Sequence, residues 1–343
     1  GFSCEEKRPD ETIVSCDFSQ EEMFARYSDL AHERFVILEQ KMSVLNSIFT
    51  SNVGFFDSSI LNELQISLNE AYLAFQACSV YDFGPAIENG VPFTERFDAY
   101  PTNIELVKEN AENGSTNVHE LYRSQVGIPA LEYLFHETDS VFDNGVEAFN
   151  SGGPKDYVAA LISKMHQRST QMKLAWEDSN FRNTFVANTG SADGSSLSQL
   201  TNSFVYDFEA RLRNVKLRIP AGYFSTNPEP EKGCSYYAGN GVLMLKEQFA
   251  AIKEFYSDGD YSFSAYLQCL GETDLDQAIQ QQLMVVETQI NLISGEDLSP
   301  YFEVEDEKVT VLINECQKLI PLFKGSLVTA FGIRISYTDS DGD

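Results

Sequence analysis

Apolar residues that return every third and fourth position are the feature that most restricts this chain. Met23, Tyr27, Leu30, Ala31, Leu38, Met42, Leu45 and Phe49 keep that spacing for about eight turns. Leu61, Leu64, Leu68, Ala71, Phe75 and Cys78 take it up again from about Ser58. A segment with this period carries one apolar stripe, which a helix must bury against a neighbour. No period-two alternation of convincing length occurs, so the expectation is an all-α protein. Ser19 with Glu22 reads as a capping box at the head of the first helix.

The pattern continues to the end of the chain. Pro154 opens a helix to about Asp178, and Ser196 with Gln199 opens another through Leu197, Leu200, Phe204, Phe208, Leu212 and Val215. Helices are expected from about Gly241 to Tyr256, from Thr273, capped through Asp276, to Ile293, and from Glu305 to Leu319, where Pro321 ends the last. The stretch 188–196, NTGSADGSS, is the most linker-like inside the chain. With 343 residues at 43% hydrophobic composition, two domains are expected: a polar leader over 1–18, a helical bundle over 19–187 and a second over 188–343.

Charge removes several function classes. Fifty-two Asp and Glu against 24 Lys and Arg leave a net charge of -28, which repels nucleic acid and anionic membrane surfaces. No run of about 18 apolar residues is present, so no membrane span is encoded. Any signal peptide is taken to have been removed, and Cys4 in FSCEE reads as either an ordinary cysteine or the acylated residue of a lipoprotein. Six cysteines, none in a two-residue spacing, permit fifteen pairings, of which Cys4–Cys16 and Cys234–Cys269 close the shortest loops.

One segment departs from the regular period. Val118 to Glu137 has apolar residues at helical spacing, but Gly127-Ile128-Pro129 interrupts them, so a kinked helix is expected. Pro129 has no N–H for the carbonyl of Gln125, which must find another donor. Glu132 lies beyond the break among Ala130, Leu131, Tyr133 and Leu134. A carboxylate buried there has to be paired, bound to a cation, or protonated and hydrogen-bonded.

The segment GIPALEYLF resembles the signature helix of imelysin-like proteins, whose motif places a histidine two residues after a glycine and a glutamate three further on. Gly127 and Glu132 match, and Pro129 stands at the histidine position. Tyr81-Asp82-Phe83-Gly84-Pro85-Ala86, Phe97-Asp98-Ala99-Tyr100-Pro101 and Ile335 to Asp343 are similar to other stretches of the same family, in order, from about Met23 to the end. The resemblance implies two similar four-helix bundles packed together and a functional site where they meet. It also implies a bacterial protein of the periplasm, or lipid-anchored to the outer membrane, that acts in iron uptake with other envelope proteins. Its ligand would be a small molecule or a complex of iron or another divalent metal. The family was once filed among metallopeptidases, which leaves a metal-dependent hydrolase as the alternative.

Peptidase chemistry of the common helical kind needs two histidines four apart on one helix face. His32, His119, His136 and His166 are scattered and form no such pair. Glu132 is the first candidate for a metal ligand. It is otherwise expected at the junction of the bundles, facing Arg211, Lys216 or Arg218 and the aromatic loop with Tyr81, Phe83 and Asp98. Arg211 and Arg218, seven apart, would share a helix face. This basic cluster precedes Ile219-Pro220-Ala221, a short echo of Ile128-Pro129-Ala130 that an internal duplication would explain. Asp339 and Asp341 resemble the opening of a calcium loop but lack its distal glutamate, so they read as an acidic tail or as a cap that approaches the site.

Overall fold

The computed structural model describes residues 17–88, 90–136, 150 and 152–337. Cys4, Cys16, the leader up to residue 16, Asp339 and Asp341 lie outside them. Among the described residues the fold is helical throughout, with one isolated β-bridge between Glu88 and Val91.

The first helix, α1 (Gln20–Ser51), starts where the sequence predicts: the Ser19 hydroxyl accepts the Glu22 N–H at 3.1 Å. Its stripe from Met23 to Phe49 is buried. Helix α2 (Ser58–Gln76) packs on it, and short α3 (Thr94–Phe97) and α4 (Ile104–Asn113) lie in the segment that follows. Helix α5 (Ile128–His136) rests on α2, α6 (Gly152–Glu177) runs against α1 and α4, and α7 (Ser179–Ala187) closes this group on α1.

The exposed stretch 188–194 leads to α8 (Ser196–Tyr206), capped by buried Ser195 rather than Ser196: its hydroxyl accepts the Ser198 N–H at 3.2 Å. Helix α8 runs on without a break as a π-helix over Asp207–Arg218. Then come α9 (Gly241–Ser257), α10 (Phe263–Cys269), α11 (Thr273–Asn291), α12 (Ser299–Glu303), α13 (Glu307–Ile320) and α14 (Val328–Ala330). Pro321 does not break α13. It passes the chain into a second π-helical stretch, Pro321–Leu327, where the missing N–H is tolerated by the change in hydrogen-bond register. Asp276 is not a cap either. Its carboxylate is buried and accepts from Tyr256, Gln268 and Gln280 at 2.7–2.9 Å.

One continuous apolar core joins both sets of helices. Helix α2 packs on α9, and α8 and α9 both meet the turn Ser79–Tyr81. Tyr27 on α1 donates to the Phe255 carbonyl at 2.7 Å and accepts the Phe263 N–H at 3.1 Å, which satisfies a hydroxyl with no exposed surface. At the rim of the same contact Arg34 Nη2 donates to both carboxylate oxygens of Glu254, at 2.5 and 2.6 Å.

Candidate functional site

Gly127 fixes the entry to α5. Its φ is +87°, a region that suits glycine, and a Cβ there would sit 2.6 Å from the Phe97 carbonyl oxygen. The backbone of residues 96 and 97 therefore lies directly on Gly127, which brings Asp98 and Tyr100 to the side of α5. The expected kinked helix is absent. Turns and a 3-10 turn (Arg123–Gln125) precede Gly127, and the helix starts at Ile128 with Pro129 in its first turn, where a missing N–H costs nothing. The Gln125 carbonyl finds a side-chain donor, the hydroxyl of Tyr157 on α6.

Helix α5 carries Glu132 into the interior, where it is 1% exposed. Its one hydrogen-bond partner among the described residues is Ser235, whose hydroxyl donates to Oε1 at 2.5 Å, while Oε2 is buried without a partner. Burial pushes this carboxyl up, the Ser235 bond pulls it down and nearby Asp98 raises it again, leaving it at about 8. Glu132 is therefore protonated at neutral pH. Ser235, fully buried in the loop before α9, holds a φ of 54°, uncommon for a residue with a side chain. In that conformation its N–H reaches the Tyr100 hydroxyl at 2.9 Å while its own hydroxyl serves Glu132.

A polar seam extends from this pair between the two sets of helices. Tyr72 on α2 gives its single proton to Asp98, so the Cys234 thiol, 2.9 Å away, is the donor to the Tyr72 oxygen. Tyr100 stands 3.3 Å from the same oxygen. Lys216, 2% exposed, faces Asp98 at 3.8 Å. Burial raises Asp98, and Lys216 and the Tyr72 hydroxyl oppose that rise. Next along the seam, Arg211, 16% exposed at its side chain, binds Asp82 and touches Thr94 at 2.6 Å and Asp207 at 3.4 Å. Asp207 takes the Gln248 amide at 3.0 Å. Both polar atoms of Gln76 are buried, and its side chain lies beside Asp98. Outside the seam, Tyr100 also lines a groove of about 620 Å³ together with Pro101, Thr102, Tyr122 and Lys232.

The π-helix explains which cations arrive here. Its hydrogen bonds run from residue i to i+5, as from the Ile219 N–H to the Asn214 carbonyl at 2.8 Å, so residues five apart line up. Arg211 and Lys216 therefore both face the seam. Arg218, seven residues from Arg211, does not: it bonds Asn214 at 3.1 Å and lies over the rings of Tyr223 and Phe224.

The structure thus brings Glu132, Asp98 and Lys216 together, with Arg211 further along the same seam, but among the described residues no cation touches Glu132. Tyr81 and Phe83 lie elsewhere, edge-on to Trp176, and Phe83 stacks on Phe185. Tyr72, Tyr100, Cys234 and Ser235 are the site residues the sequence reading missed. Of these, Tyr100 sits in a stretch already singled out, whereas Ser235 has no local signal. The echo Ile219-Pro220-Ala221 ends a helix while Ile128-Pro129-Ala130 begins one, because Gly222, at φ +82°, turns the chain sharply against Asn227.

The Cys234–Cys269 pairing is also corrected. Cys78, Cys234 and Cys316 are free and buried, and Cys269 is disulfide-bonded. Burial raises all three thiols, Cys316 to about 12. Cys234 is expected to stay unmodified in native protein treated with iodoacetamide at pH 8 and to be alkylated after unfolding, read by peptide mapping. Rapid native labelling of Cys234 would contradict its place in the seam.

Two helical groups that share one core and bury a polar seam between them define a class of all-α proteins with a site at an internal junction. The chain belongs to the imelysin family: the family model Peptidase M75, Imelysin, matches residues 34–323. Its fold is similar to that of an imelysin-like protein from Psychrobacter arcticum 273-4, with a TM-score of 0.72 at 17% identity over 94% of this chain and 99% of that one. It is equally similar to a chain from Parabacteroides distasonis ATCC 8503 named as an iron-regulated protein A precursor, with a TM-score of 0.73 at 13% identity over 95% and 97%. No curated protein matches the sequence.

Proposed function

We propose that this chain is a non-catalytic protein of the bacterial envelope, periplasmic or lipid-anchored, that binds a small ligand or a metal complex at the seam in iron acquisition. The observation that carries the reading is Glu132, a buried acid with one oxygen unpartnered and protonated at neutral pH. Such a group is set up to donate a hydrogen bond to an incoming acceptor, and Tyr100 and Ser235 connect it to the outer groove. The two helical groups, 19–187 and 188–343, act in this reading as two domains that hold the site between them. The name of the Parabacteroides distasonis neighbour supports iron as the context.

A complex fits better than a bare ion. Among the described residues no three His, Cys, Asp or Glu side chains stand close enough to share a metal. Lys216 and Arg211 in the seam are already paired, with Asp98 and with Asp82 and Asp207, so the open partner for a ligand is the unpartnered Glu132 oxygen.

Titration with ferric citrate, followed by calorimetry and by element-resolved metal analysis, tests the proposal. The expected result is stoichiometric binding that Glu132→Leu, which has no donor to offer, weakens about tenfold, the loss of one hydrogen bond to a charged group. Absence of iron binding by the wild type would overturn this reading, and zinc-dependent cleavage of unfolded protein that Glu132→Gln abolishes would replace it with the hydrolase alternative.

A further inference from the structure

A cavity of about 390 Å³ lies within the first set of helices, between Glu88, the segment 91–97, the turn before α5, and α6. None of the seam residues lines it. Its polar side is basic. Arg96, Lys164 and Arg168 face it against a single carboxylate, Glu88, with exposed His119 at the edge. In a chain with 52 acidic and 24 basic residues, such a local excess of positive charge is not what random placement would give.

The manner in which these cations are held matters more than their number. The Leu121 carbonyl fixes Arg96 at 2.7 Å, and the Ala86 carbonyl fixes Arg168 at 3.0 Å. The Gln171 side chain takes a second Arg168 donor at 3.2 Å. These neutral acceptors orient a guanidinium without cancelling its charge, and each guanidinium has five N–H donors to distribute. The Arg168 contact to Glu88 is 3.5 Å, and that carboxylate is 41% exposed. Lys164 has no ion-pair or hydrogen-bond partner among the described residues. Arg168, only 8% exposed at its side chain, would be expensive to keep there unless something compensates it.

The other side is apolar, formed by Val91, Phe97, Val118, Val126, Leu161 and Met165. The volume falls in the range of small-molecule sites, which pair an apolar wall with a few convergent polar groups. We propose that this pocket binds a small organic carboxylate, its anionic end on Arg96, Lys164 and Arg168 and its apolar body against Phe97, Leu161 and Met165. The backbone of Gly127 closes the floor, so the residue that positions α5 also shapes this pocket. The site is separate from the Glu132 seam and stands or falls without it.

Calorimetric titration of the whole protein with 3-phenylpropionate, with its amide and with inorganic phosphate tests the assignment. The carboxylate is expected to bind one to one, with the amide and phosphate each at least about tenfold weaker, one lacking the charge and the other the apolar body. Lys164→Gln and Arg96→Gln should each weaken the carboxylate about tenfold. Lys164 makes no hydrogen bond or ion pair among the described residues, so its variant separates binding from folding. Glu132→Gln should leave this affinity unchanged, which distinguishes the pocket from the seam. No saturable binding of 3-phenylpropionate, equal binding of its amide or of phosphate, or unchanged affinity in Lys164→Gln would each overturn the proposal.

Discussion

Glutamine in place of Glu132 is expected to make the protein more resistant to rising pH. The folded carboxyl titrates at about 8 against an ordinary value of 4.5, chiefly because it is buried. Between these values the folded state holds a proton that the unfolded chain has lost, so stability falls as pH rises through the window. The contribution is fully present below about 4.5 and gone above about 8. A single group with this shift changes stability by about 1.4 kcal/mol per pH unit, a total on the order of 4–5 kcal/mol across the window. Glutamine has the shape of the protonated acid and does not ionise. Urea unfolding of both proteins at pH 5, 6, 7, 8 and 9 measures the difference, in which the other acids largely cancel. The glutamine variant should gain steadily on the wild type from pH 5 to 8, and the gap should then level off. Ser235→Ala removes the bond that lowers this pKa and should carry the levelling point to higher pH. Parallel curves for wild type and Glu132→Gln would mean that the carboxyl is not buried as described.

Gly127→Ala is expected to cost far more than an ordinary glycine-to-alanine change. The new Cβ would meet the Phe97 oxygen at 2.6 Å, the Phe97 carbonyl carbon at 2.9 Å and the Arg96 oxygen at 3.0 Å, all of them backbone atoms that cannot rotate aside. The φ of +87° is itself unfavourable for alanine. Together these effects should cost on the order of 3–5 kcal/mol. Because the same contact places Asp98 and Tyr100 beside α5 and closes the carboxylate pocket, both sites should be disturbed with it. Gly54→Ala is the control, since nothing lies within 4 Å of a Cβ there, and it should change stability by no more than about 0.5 kcal/mol. Urea midpoints followed by circular dichroism compare the two. A Gly127→Ala protein as stable as Gly54→Ala would show that the close crossing of residues 96–97 over Gly127 does not hold.

What could be read from the sequence was local in origin. The stripe from Met23 to Phe49 and the Ser19 cap depend on residues three and four apart, and both are present as expected. The need of the Gln125 carbonyl for an outside donor followed from Pro129 alone, and Tyr157 meets it. That Glu132 would be buried and chemically unusual followed from its apolar neighbours. The family likewise announced itself in short motifs around Gly127 and Glu132.

The tertiary structure decided how these pieces meet. Whether Pro129 kinks a helix or opens one depends on the backbone of Phe97 pressing on Gly127, a contact between distant parts of the chain. Glu132 and its partner Ser235 are 103 positions apart, and no periodicity connects a helix to a residue in a loop with positive φ. The choice of Lys216 over Arg218 for the seam turned on a change from i+4 to i+5 hydrogen bonding over Asp207–Arg218, which re-aims every side chain beyond it. Side-chain spacing along one helix is set by the covalent chain and can be read from it. Contact between helices is set by the packing of many residues at once, and a site built across a junction exists only after that packing is complete.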